Sequence, residues 1–143
     1  MKILYGVQGT GNGHITRSSL LIPILRDMGH EVEVIISGRN KANFFDIEIL
    51  KPFEIKKWIT FITSKGEVKI FKTALDIRAI EFIKDVRGRD LNNIDLVISD
   101  YEPITAWIAK IKNKTSMGIA HQYAFKYNIP IFGDNFFTRL IMN

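Results

Sequence analysis

An uninterrupted apolar strand running into a glycine-rich turn constrains this chain more than any other feature. Ile3, Leu4, Tyr5 and Val7 form a run suited to a strand covered on both faces. The run breaks at Gly9-Thr10-Gly11-Asn12-Gly13-His14. Backbone without Cβ turns tightly, approaches a ligand closely and leaves amides free to meet an anion. Leu20, Leu21, Ile24, Leu25 and Met28 then recur on one side of a helical wheel, and Gly29 is placed to end that helix at its C′ position. Val32, Val34, Ile35 and Ile36 supply the next strand. The segment Met1 to Ser37 is therefore a βαβ start with a right-handed crossover.

The same pattern continues along the chain. Pro23 interrupts the hydrogen bonding of the first helix and predicts a kink or an early end. Gly38, Arg39 and Asn40 read as the loop after the second strand. Phe44 to Leu50 has poor periodicity, which leaves a short helix and an extended segment both open. Phe53 to Thr63 alternates as a strand does, yet its wider pattern also suits an apolar lid edged with lysines. A helix is predicted over Val68 to Val86, with Ile80 and Ile83 on its apolar side, ending near Arg87-Gly88-Arg89. Leu96 to Ser99 is a buried strand with Asp100 at its end. Pro103 fits the first turn of the helix that follows, packed through Ile104, Ala106, Trp107 and Ile108. Ser116 to Ala120 is a further strand, with His121 at its sheet end. The stretch from Tyr123 to Ile141 is too apolar for a free tail. The expected fold is α/β, a Rossmann-like open parallel sheet with helices on both faces, in one domain over residues 1–143.

Composition adds bounds. A chain of 143 residues builds one substantial core. The net charge of +5 favours phosphates, anionic lipid or nucleic acid without choosing among them, or else is solvated surface. The chain has no cysteine, which removes thiolate nucleophiles and cysteine metal sites and permits an interior compartment. The first strand enters a glycine turn before it can serve as a signal peptide or membrane span.

Several side chains carry candidate chemistry. The loop fails the dinucleotide fingerprint, because His14 stands where the third glycine belongs, and it fails as a Walker loop for want of a following lysine. What remains is a βα turn whose amides suit a phosphate or carboxylate. His14 can accept a proton from an attacking hydroxyl, or can be a helix-start histidine bonded locally. Arg17, three residues on, suits a phosphate, a carboxylate partner or plain solvent. Asp100, Glu102 and His121 come from other strand ends and can be gathered at one crevice. Asp100 can orient His14 or a sugar hydroxyl, Glu102 suits capping of its own helix, and His121 can contact an acceptor. Two distant histidines are weak support for a metal, and none is expected; His30 belongs to the turn after the first helix. The lysines and aromatics form no recognisable nucleic-acid platform.

Three stretches together carry a family resemblance: Val7-Gln8-Gly9-Thr10-Gly11-Asn12-Gly13-His14-Ile15-Thr16-Arg17, Met28-Gly29-His30-Glu31-Val32 and Asp95-Leu96-Val97-Ile98-Ser99-Asp100-Tyr101-Glu102-Pro103. The chain resembles the amino-terminal half of a two-domain nucleotide-sugar glycosyltransferase of the GT-B architecture. It is most similar to the family 28-like proteins, which include the bacterial transferase that adds N-acetylglucosamine to a lipid-linked muramyl peptide. The resemblance implies an acceptor-side loop made of Gly9, Gly11, Asn12 and Gly13, with His14 as the catalytic residue at the interdomain cleft. It further implies a nucleotide-sugar donor as substrate, no permanently held cofactor, a lipid-linked or other hydroxyl acceptor, and a cytoplasmic place, peripheral at the inner face of the membrane. The donor-binding half is absent from this sequence, so a carboxyl-terminal domain or separate subunit is the expected partner. The alternative from another class is a nonenzymatic module that recruits a partner or binds anionic lipid.

Overall fold

The computed structural model describes residues 1–39, 44, 47–56, 63–64, 67–68 and 79–120. Strand β1 (Lys2–Gln8) leads into helix α1 (Asn12–Asp27), which returns to β2 (Glu31–Ser37). A 3-10 turn at Glu48–Leu50 precedes β3 (Phe53–Lys56), so the segment around Phe53 begins as a strand. The short strands β4 (Thr63–Ser64) and β5 (Glu67–Val68) pair antiparallel. Helix α2 (Ala79–Gly88), strand β6 (Leu96–Asp100), helix α3 (Pro103–Ile111) and strand β7 (Ser116–Gly118) follow.

Five strands form one all-parallel sheet in the order β3-β2-β1-β6-β7. This is a Rossmann-like α/β fold, and its strand order reverses at β1, where such sheets open a crevice at their carboxyl edge. Alternation along the strands divides the core between two faces. Ile3, Tyr5, Val7, Val34, Ile36 and Ile98 pack against Ile15 and Ile22 of α1. Leu4, Ile35 and Val97 pack on the other face with Val86 of α2 and Ile104 and Ile108 of α3.

The ends of α1 follow from local rules. Gly29 adopts φ +83 at C′. Its N–H donates to the Arg26 carbonyl at 2.9 Å and that of His30 to the Leu25 carbonyl at 3.1 Å, a Schellman closure. The helix continues through Pro23 to Asp27 instead of ending there. Its inward face differs from the expected one. Ile15, Ser18 and Ile22 are buried and Leu25 packs beside them, whereas Leu20, Ile24 and Met28 are exposed. A serine with a buried partner interrupts the apolar stripe that does face the sheet, and so the outer residues show the stronger periodicity.

Two further expectations are corrected. Val68 pairs with Thr63 in β5 instead of starting a helix; it is β-branched and suits a strand. The described helix covers Ala79–Gly88, with Ile80 and Ile83 exposed. In α3, Ile104, Thr105, Ile108 and Ala109 face inward, and Trp107 lies half-exposed against the edge of Phe82. Residues 57–62, the first part of the predicted second helix at 69–78, and the stretch 121–143 that includes His121 lie outside the described residues. Among the described residues no helix is long and apolar enough to cross a membrane.

Many of the charges answer one another. Lys2 pairs with Glu31 and Glu33, Arg89 with Glu33 and Glu54, and Lys56 with Glu54 and Asp85. A cavity of about 310 Å³ between β2, β3, α2 and α3 is lined by four of these charges, Glu54, Lys56, Asp85 and Arg89, together with Lys84, over Ile35, Ile104 and Ile108. Its Lys56 and Arg89 are matched by the carboxylates of Glu54 and Asp85.

Candidate active site

The carboxyl ends of β1, β2 and β6 meet beside the first turn of α1. Gly9 closes the end of β1, and its N–H donates to the Ser37 carbonyl at 2.6 Å. A Cβ on Gly9 would stand 2.7 Å from the Phe44 ring and 2.8 Å from that carbonyl, so the backbone must be bare here. Gly11 is the N-cap of α1 and has no side chain to satisfy the helix's first amides. A Cβ on Gly13 would meet nothing within 4 Å. Arg39 holds the loop from the end of β2. Its guanidinium donates to the Thr10 carbonyl at 2.8 Å and to Asn12 Oδ1 at 3.0 Å, and lies over Phe44.

Asp100 ends β6 on the face that looks at α1, with its side chain wholly buried. His14 Nδ1 lies 2.7 Å from Asp100 Oδ1. Arg17 forks onto the same carboxylate, Nε to Oδ2 at 2.9 Å and Nη2 to Oδ1. Ser18 Oγ adds a longer bond to Oδ2 at 3.3 Å. Burial raises the Asp100 pKa, but the hydrogen bonds and charges of His14 and Arg17 outweigh it and hold the carboxyl below its ordinary 3.8. An ionised Asp100 needs a donor at His14 Nδ1, which assigns the proton to that nitrogen. Arg17 Nη2, 3.1 Å from Nδ1, is then a close neighbour of the ring and gives its proton to the carboxylate. No described residue is bonded to Nε2 of His14, which leaves an acceptor lone pair beside the glycine loop. The imidazole lies parallel to the Tyr101 ring, with centroids 5.9 Å apart.

The Asp100 arrangement has a stability consequence. A carboxylate whose folded pKa lies below its unfolded value stabilises the fold above the unfolded pKa and loses that contribution as pH falls through the folded one. The chain is expected to lose urea resistance as pH drops below about 3.8. Asp100→Asn is less stable at pH 7, and the gap to wild type narrows across that acid range. Urea midpoints measured as a function of pH check this.

Glu102 is the N-cap of α3. It accepts from the amides of Ile104 at 2.9 Å and Thr105 at 2.7 Å and from the Ser37 and Thr105 hydroxyls. Fully buried, its carboxylate is committed to the cap and to the β2 end, the capping option expected from its position. Burial pushes its pKa up despite those donors. The structure thus brings Gly9, Thr10, Gly11, Asn12, Gly13, His14, Arg17 and Asp100 to one edge, with Glu102 beneath it. His30 lies elsewhere, its Nδ1 3.4 Å from the amino terminus. Sequence reasoning missed Ser18, Arg39 and Tyr101. A serine inside the inward stripe of α1 was the available signal for the first; the other two depend on long-range placement.

Among the described residues the buried Gln8 Oε1 has no hydrogen-bond partner, and the buried Tyr5 hydroxyl has Ser18 as its neighbour. Burial pushes the Tyr5 phenol up, so it stays a neutral group under the Asp100 cluster. Among the described residues no three His, Asp or Glu side chains are gathered as metal ligands.

A protein-family model described as Glycosyl transferase family 1 matches residues 1–130. No curated protein matches the chain. The parallel sheet, the open loop and the His14–Asp100 pair at its carboxyl edge all lie within the matched stretch, and the chain belongs to glycosyl transferase family 1.

Proposed function

We propose that this chain is the acceptor-binding half of a GT-B, family 28-like transferase that moves a sugar from a nucleoside diphosphate to a hydroxyl acceptor. The observation that carries the reading is His14 Nδ1 at 2.7 Å from a buried, ionised Asp100, with Nε2 left to meet a substrate. In the reaction, the acceptor oxygen forms a bond to the anomeric carbon while the bond from that carbon to the diphosphate oxygen breaks. The nucleotide leaves with the electron pair. His14 Nε2 takes the hydroxyl proton, and Asp100 balances the imidazolium that results. The first amides of α1, at Asn12 and Gly13, suit a phosphate of a lipid-linked acceptor.

Several partners belong to this proposal. The donor is bound as a substrate by a carboxyl-terminal domain or a separate subunit, and the 143-residue chain alone transfers no sugar. The acceptor reaches the site from the inner face of the membrane. The test mixes the purified chain with a donor-binding half, a nucleotide sugar and lipid-phosphate acceptors. Nucleotide release that depends on both halves is expected; product from the chain alone would overturn the division of labour.

Gly13 offers a narrower check. An alanine methyl there meets open space and suits a helix better than glycine does, so Gly13→Ala should stabilise the chain by up to about 1 kcal/mol. The same methyl takes up room beside the amides proposed to hold the phosphate. Acceptor affinity should fall about tenfold, the worth of roughly one hydrogen bond. Urea melts and acceptor titration measure the two effects side by side.

A binding role without chemistry draws on the exposed Leu20, Ile24 and Met28 of α1. It requires partner or lipid binding that survives His14→Ala, with no transfer after any donor half is added.

A further inference from the structure

Among the described residues two that are not glycine adopt left-handed backbone, Tyr101 at φ 53 and Asn113 at φ 50. Asn113 follows the C-cap of α3, where asparagine commonly takes this conformation. Tyr101 stands between the end of β6 and the N-cap Glu102, and no such rule favours a bulky aromatic there. The conformation is unfavourable for an L-residue, because its Cβ crowds the following carbonyl oxygen. Apolar burial does not account for it, because Tyr101 remains 42% exposed.

The conformation sets the Tyr101 ring against the imidazole of His14, with centroids 5.9 Å apart and planes 9° from parallel. We propose that Tyr101 is a positioning residue for His14, its left-handed backbone retained because it aims the phenol ring at the imidazole. This rests on the reading of His14 as the proton acceptor. Two restraints then act on one ring: Asp100 fixes the Nδ1 edge and Tyr101 fixes the plane, so Nε2 keeps a single direction.

The glycine substitution separates this role from ordinary packing, since Tyr101→Gly relieves the backbone and removes the ring together. The experiment is NMR of the 143-residue chain labelled with 15N at its histidine side chains, beside thermal melts. Tyr101→Phe should retain the single Nδ1–H tautomer of His14 and its ring-current shifts. Tyr101→Gly should melt at the wild-type temperature or above it, while His14 averages between tautomers. Tyr101→Asn, which also tolerates left-handed backbone, should repeat the glycine result and serves where the glycine variant folds poorly. With a donor-binding half present, kcat should fall about three- to tenfold in the Gly and Asn variants with KM little changed, and Phe should restore it. The wild-type single Nδ1–H tautomer of His14 in both the Gly and Asn variants would overturn the proposal. The NMR outcome decides positioning without any transfer assay, so a wild-type protein inactive with every donor half would count against the transferase reading alone.

Discussion

Replacing His14 by Gln will lower sugar transfer about 10²- to 10⁴-fold in the assembled enzyme, the range expected for loss of a positioned proton acceptor. The loss should appear in kcat, because the acceptor oxygen sheds its proton only as its bond to the anomeric carbon forms. Folding should change little, since the ring is partly exposed at the edge of the sheet and its bond to Asp100 is backed by the Arg17 fork. Asp100→Asn should also cut kcat, because an amide cannot balance the imidazolium and presents N–H groups toward Arg17. Single-turnover transfer, with urea melts of the same variants, checks both statements. Transfer at the wild-type rate in His14→Gln would remove it from the chemistry and return it to a local role at the start of α1.

The largest stability effect is expected at Gly6, in the middle of β1. A Cβ there would lie 2.0 Å from Thr105 Oγ1, 2.7 Å from its methyl and 2.8 Å from Glu102 Oε2. None of these atoms has room to retreat. Thr105 is fully buried and bonded to Ser99 and Glu102, while the Glu102 carboxylate is committed to the cap and to Ser37. Gly6→Ala should therefore destabilise the chain by about 3 kcal/mol, the upper end of the usual overpacking range. The amino end of α3 would be pushed off the sheet. Equilibrium urea unfolding measures the loss, and a change below about 0.5 kcal/mol would mean that α3 shifts freely over β1. Gly6 and Gly13 thus respond to the same substitution with opposite signs, because one faces packed side chains and the other faces open space.

Much of this fold was legible where local chemistry decides it. The apolar runs of β1, β2 and β6, Gly29 at C′, Pro103 in the first turn of α3 and Asp100 at a strand end all obey short-range backbone rules. The inward face of α1 did not, because Ser18 takes a core position through its bond to Asp100 and Leu20, Ile24 and Met28 are turned outward. For Arg17 the sequence left phosphate, carboxylate and solvent open; the structure gives it the Asp100 carboxylate. That pairing joins residues 83 apart, which no local pattern encodes. Arg39 was read only as part of a loop, since its hold on Thr10 and Asn12 appears once β2 and α1 are adjacent. Tyr101 drew no reading of its own, because a left-handed φ leaves no mark on composition or spacing.

His14 and Asp100 are 86 residues apart, and the carboxylate joins the first βα turn to the second half of the sheet. No single segment can carry the cluster through a partial opening, because separating β1 from β6 takes it apart. A molecule that engages the cluster would consequently protect amides throughout the sheet from hydrogen exchange and raise the melting temperature of the whole domain. Thermal shift of this chain thus offers a way to screen for its acceptor before any donor half is in hand.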